Sequence, residues 1–126
     1  SRARISHNQL IAVRRADSKH FQLGMLQWLR LDENQELCCG VRVFPGTPQA
    51  VAVRPSELNT ADNRYERALY LPEVPAAAAG ATLILPPGWF QTGGFVDVLS
   101  DRKQVAKLLN LLEMGDDFDR CTVTLI

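Results

Sequence analysis

Only three cysteines, two histidines and two tyrosines occur in these 126 residues, and acidic and basic side chains balance at 14 each. Each scarcity excludes something. Cys38, Cys39 and Cys121 are too few and too irregularly spaced for a disulfide framework, and as reduced thiols they fit a cytoplasmic protein. Cys38-Cys39 has no second pair, and no Cys, His and carboxylate cluster shows ligand spacing, so no metal is expected. A net charge of zero lacks the basic footprint of a DNA-binding chain. No apolar run approaches the roughly 18 residues of a membrane helix, so no membrane insertion is expected. Gly93-Gly94 lacks a following Gly-Lys-Ser/Thr and does not make a phosphate loop. Asp116-Asp117-Phe118-Asp119 lacks the length of a calcium loop and reads as a solvated turn. His7 and His20 lie in polar stretches, and nothing places a base beside Cys121. A non-enzymatic domain without a cofactor is the expectation.

What is present is β-rich. The apolar fraction of 46% and the length suit one domain, residues 1–126, with a core of its own. The chain begins at Ser1 with no Met, as a piece of a longer protein would. Strands are expected over Gln9–Arg14, Phe21–Leu31, Leu37–Phe44, Gln49–Arg54, Ala68–Leu71, Thr82–Leu85, Phe95–Leu99 and the end of Phe118–Ile126. A bend or bulge is expected at Gly24. Pro45-Gly46-Thr47-Pro48 and Pro86-Pro87-Gly88 are turn signals, Pro55–Arg67 reads as an exposed connection, and Pro72–Gly80 reads as a loop. One amphipathic helix is expected over Asp101–Met114, capped by Ser100 or Asp101. Its stripe is Val105, Leu108, Leu109 and Leu112, and Gly115 follows it. Eight short strands and one helix favour an all-β barrel or sandwich.

Two features carry candidate chemistry. Arg2, Arg4, Arg14 and Arg15 form the densest basic segment; guanidinium forks match phosphate oxygens and stack on purines, while a basic strand edge is the alternative. Trp89 and Phe90, adjacent aromatics after a rigid turn, suit either a docking patch or a plug in one end of a barrel.

Gln22-Leu23-Gly24-Met25-Leu26-Gln27-Trp28-Leu29-Arg30, a polar hairpin loop, and Leu37-Cys38-Cys39-Gly40-Val41-Arg42-Val43-Phe44 resemble the late strands of PilZ domains. The PilZ-like portion covers roughly Asn8 to Phe44. The series from Gly40 through Leu85-Pro86-Pro87-Gly88-Trp89-Phe90 resembles the C-terminal region of larger proteobacterial proteins described as cyclic di-GMP binding. The resemblance implies a small PilZ-like barrel in a regulatory protein, with cyclic di-GMP as ligand and the upstream region or another protein as partner. The family's R-x-x-x-R and D/N-x-S-x-x-G motifs do not occur here, so none of its ligand residues is assigned to a numbered position. Two functions follow: a cyclic-dinucleotide receptor module, or a ligand-free barrel retained for protein contacts.

Overall fold

Alternation along the chain produces nine strands, all paired antiparallel, in the computed structural model, which describes residues 8–56 and 64–126. They are β1 (Leu10–Val13), β2 (Gln22–Leu31), β3 (Leu37–Val43), β4 (Gln49–Pro55), β5 (Glu66–Leu71), β6 (Thr82–Leu85), β7 (Phe95–Leu99), β8 (Lys103–Met114) and β9 (Asp119–Leu125). A 3-10 turn, Pro75–Ala77, lies in the loop after β5. Most of the polar connection expected over Pro55–Arg67 falls on residues 57–63, outside the described residues, as do Arg2, Arg4 and His7.

The strands divide into two units. β1, β2 and β3 form an open three-stranded sheet, and β4-β5-β6-β9-β8-β7 close into a barrel, with β4 paired to both β5 and β7. The barrel therefore lies wholly beyond the Asn8–Phe44 stretch that resembles PilZ strands. Inside it pack Val53, Leu83, Leu85, Val96, Val98, Ala106, Leu108, Cys121 and Val123. Each fully buried aliphatic side chain contributes about 1.5–3 kcal/mol, enough for the barrel to organise its own core.

Strand β6 shows how the two units meet, because it is buried at all four positions. Leu83 and Leu85 point into the barrel, whereas Ile84 belongs to a second cluster with Leu23, Phe44, Leu71 and Phe118. Leu10 and Met25 of the open sheet complete that cluster. Polar contacts fix the same seam. The Leu10 N–H donates to Asp117 Oδ1 at 2.9 Å, and the Asp116 N–H donates to the Asn8 carbonyl at 3.0 Å. Arg120, buried, pairs with buried Glu113 at 2.7 Å and lies 4.3 Å from the Phe44 ring centroid; Glu113 also meets Arg42 of β3 at 3.1 Å. Asp116-Asp117-Phe118-Asp119 is thus a structural joint rather than a solvated turn, with Phe118 and Asp119 both buried.

The expected amphipathic helix over Asp101–Met114 is not formed, and no α-helix occurs among the described residues. Lys103–Met114 is β8, twelve residues long and paired to both β7 and β9. From Ala106 to Leu108 it alternates as a barrel strand should, with Lys107 exposed between two buried residues. Register shifts then fall between Leu108 and Leu111 and between Leu111 and Glu113. Extra residues in one strand change the local spacing from two to three. That spacing gives Val105, Leu108, Leu109 and Leu112 the look of a helical stripe, yet Leu108 is buried and Leu112 exposed. The supposed helix cap is a hairpin turn in which the Ser100 N–H donates to the Arg102 carbonyl at 3.2 Å. Gly115 is likewise a turn residue, its N–H donating to the Phe118 carbonyl at 2.8 Å.

Gly24 stays in register, and the bulge falls between Leu26 and Trp28. Gly24 instead admits β3: a Cβ there would stand 2.7 Å from Val41 Cγ1 and 2.8 Å from the Arg42 carbonyl oxygen. Gly40 plays the same part on the opposite face, where a Cβ would overlap the Trp28 indole.

Candidate functional site

The loop from β1 to β2 is built by short polar turns. The Ser18 N–H donates to the Arg15 carbonyl at 3.0 Å, and the His20 N–H donates to Ser18 Oγ at 3.1 Å. Such hydroxyl-capped turns fix backbone direction while leaving neighbouring side chains free. The loop therefore stands as one wall of a cleft of ≈ 1010 Å³, carrying Arg15, Lys19, His20 and Phe21. The facing wall comes from the barrel side, from Gly46 and Thr47 before β4 and from Pro72 and Glu73 after β5. Gly46 adopts φ +99°, which favours glycine, and a Cβ there would come 3.1 Å from the Pro72 carbonyl oxygen.

One side of the cleft carries Arg15, Lys19 and the Phe21 ring together with Asp17, and Glu73 stands on the other. Phe21 exposes 53% of its surface, and the Arg14 guanidinium lies 5.6 Å from its ring centroid. Arg15 meets Asp17 at 3.7 Å, but both side chains are about four-fifths exposed, so that pair holds little energy and leaves the fork available. An arginine fork, an ammonium and a free aromatic face together supply bidentate phosphate contacts and a stacking platform.

Of the four arginines singled out in the sequence, Arg15 lines this cleft and Arg14 stands at its rim on Phe21. Arg2 and Arg4 lie outside the described residues. Lys19, His20 and Phe21 were not joined to them by sequence reasoning. The signal was present as a basic-aromatic run from Arg14 to Phe21 interrupted by a turn.

Trp89 and Phe90 are half-buried and pack against the barrel core. The Phe90 N–H donates to Asp119 Oδ2 at 3.1 Å, and the Trp89 N–H to the Pro86 carbonyl at 3.2 Å, so the backbone of the pair is tied down beside the barrel core. Trp89 also borders a smaller cavity of ≈ 460 Å³ with Ser56, Gln91 and Phe95.

Other polar clusters have structural partners. Asp97 accepts from Arg54 Nε at 2.9 Å and from Ser56 Oγ at 2.5 Å, with the Lys103 ammonium 3.6 Å away. Burial alone would push its carboxyl up. The hydrogen bonds from Ser56 and Arg54, with the charges of Lys103 and Arg54, outweigh burial and hold it below its ordinary value. Burial pushes the Cys121 thiol up to about 12, with the Asp119 charge adding to the effect, so this sulfur is a poor nucleophile. Among the described residues no group of three or more His, Cys, Asp or Glu is placed to hold a metal ion, and no helix is long and apolar enough to cross a membrane.

No curated protein and no solved structure shows significant similarity to the chain. One family profile does match, that of the FimW C-terminal beta-barrel domain, over residues 51–126. The matched span begins within β4 and runs through β9, so it coincides with the closed barrel and leaves the three-stranded sheet outside it. The match supports a small β-barrel and does not extend to PilZ domains. With a closed six-stranded barrel as its core and the profile covering more than half its length, the chain belongs to the FimW C-terminal beta-barrel domain family.

Proposed function

We propose that this is a non-enzymatic regulatory domain of a cytoplasmic protein that binds cyclic di-GMP in the cleft between its open sheet and its barrel. One observation carries the reading: Arg15, Lys19, His20 and the exposed ring of Phe21 converge on a cleft large enough for a dinucleotide. The two phosphates of the ligand would take the Arg15 fork and the Lys19 ammonium, and a guanine would stack on Phe21, displacing or sandwiching with the Arg14 guanidinium. Because the walls belong to different units, occupancy would tie the β1–β2 loop to the barrel, a local ordering event suited to regulation.

Amide chemical-shift mapping with cyclic di-GMP tests the location. Shifts concentrated at Arg15, Lys19 to Gln22, Gly46, Thr47 and Glu73 are expected. Shifts concentrated elsewhere, or none at saturating ligand, would overturn the proposal.

A further inference from the structure

The register of β2 against β3 places Leu31 opposite Leu37, Leu29 opposite Cys39, Leu26 opposite Val41 and Gly24 opposite Val43. Residues directly opposite each other share a sheet face. Arg42 and Phe44 turn toward the barrel, where they meet Glu113 and Phe118, so this other face points away from it. The Val41 methyl leaning over Gly24 and the Trp28 indole lying over Gly40 mark the two sides independently.

The outer strip formed by Leu29, Leu31, Leu37, Cys39, Val41 and Val43 contains no charged side chain. Its rim is open to solvent, with Leu31 61% exposed, Leu37 62% and Val43 44%, whereas Leu26 on the same face is buried and Leu29 and Val41 are half-buried. Among the described residues β3 pairs only with β2, so the same strand carries an open hydrogen-bonding edge there. The Asp32 N–H donates to the Glu36 carbonyl, and the Phe44 N–H to the Leu23 carbonyl. In an antiparallel ladder these bonds put the even-numbered residues of β3 toward β2, and Leu37, Cys39, Val41 and Val43 turn their backbone groups outward. Natural edge strands are blunted by lysine, proline, bulges or a covering element. β3 has no lysine or proline, and the bulge of this sheet lies in β2. By contrast, Asp117 caps the β1 side, and the barrel has no edge because it is closed.

We propose that two copies of this chain associate through β3, their edges pairing antiparallel about a two-fold axis at Gly40. That register sets Leu37 against Val43 of the second copy and Cys39 against its Val41, each an uncharged pair on the same face. A two-fold pairing of one strand with itself is self-complementary, which a strip of uncharged residues permits and a charged strip would oppose. The formal net charge of zero leaves no long-range repulsion between copies. A strip of six residues on one edge is small beside a stable interface, which places the dimer in the weak, concentration-dependent class.

Sedimentation equilibrium on the whole chain under reducing conditions tests this. The weight-average mass is expected to rise from 14.0 kDa toward twice that value between about 1 μM and about 500 μM. Leu37→Lys is expected to hold the mass at the monomer value over the same range. Cys39→Pro should do the same, since it removes an outward-facing N–H without touching the ladder to β2. A single 14.0 kDa species at every concentration in the wild type would overturn the proposal and leave the strip to a different polypeptide. Dimers that persist in both variants would overturn it equally.

Discussion

Replacing Glu113 with leucine is expected to destabilise the chain far more than an ordinary surface substitution. Glu113 exposes 5% of its side chain and Arg120 8%, and they meet at 2.7 Å. The Arg120 Nε already lacks a partner, so the guanidinium depends on Glu113 and on the face of Phe44. Removing one member of a buried pair strands the other charge, at about 3–5 kcal/mol. Against a typical domain stability of about 5–15 kcal/mol that is a large fraction. With a urea m-value of about 1–3 kcal/mol/M, the unfolding midpoint should fall by about 2 M. Far-UV circular dichroism and tryptophan fluorescence report the transition, Trp28 from the open sheet and Trp89 from beside the barrel core. Arg42→Ala, which removes the more exposed partner of Glu113, should cost less than about 1 kcal/mol. The double variant Glu113→Leu/Arg120→Met should return to within about 2 kcal/mol of the wild type, because an apolar pair of similar volume needs no compensation. A loss below about 1 kcal/mol for Glu113→Leu, or a double variant no better than the single, would refute the buried-pair reasoning.

Gly115→Ala should loosen the seam, because a Cβ there would overlap the Phe118 ring and stand 2.6 Å from the Asn8 carbonyl oxygen; a loss of about 1–3 kcal/mol in urea unfolding is expected. Maleimide labelling of the native chain at neutral pH should modify exposed Cys39 and spare buried Cys121, which should react only after denaturation; mass spectrometry of the peptides reads the difference. The Asp97 carboxyl lies below its ordinary value of 3.8, so its charged form stabilises the fold. That contribution is complete above the ordinary value and is lost as pH falls through the lower folded-state value. Urea midpoints from about pH 6 to about pH 2.5 should therefore fall less steeply in Asp97→Asn than in the wild type, and parallel slopes would contradict the assignment.

Much of the strand pattern was legible because turn residues punctuate it. β6 and β7 match their expected spans end to end, bounded by Pro86-Pro87-Gly88 and by Gly93-Gly94. β8 was not legible, since its shifted register around Leu111 counterfeits helical spacing and no glycine or proline interrupts it. The division into open sheet and barrel was hidden for another reason. Hairpins look alike in sequence, whereas closure depends on β4 meeting β7 and β6 meeting β9 across long stretches of chain. The cleft was half-visible. Arg14 and Arg15 stood out by charge, but the opposite wall of Gly46, Thr47 and Glu73 comes from turns whose approach no local pattern encodes.

Calorimetric titration of cyclic di-GMP at physiological salt, with wild type beside Arg15→Ala, tests the proposed ligand most directly. Saturable binding by the wild type, weakened roughly ten-fold or more in Arg15→Ala, is the result expected from loss of a charge-assisted fork. No saturable binding to the wild type, or equal affinity in Arg15→Ala, would contradict a dinucleotide site in this cleft.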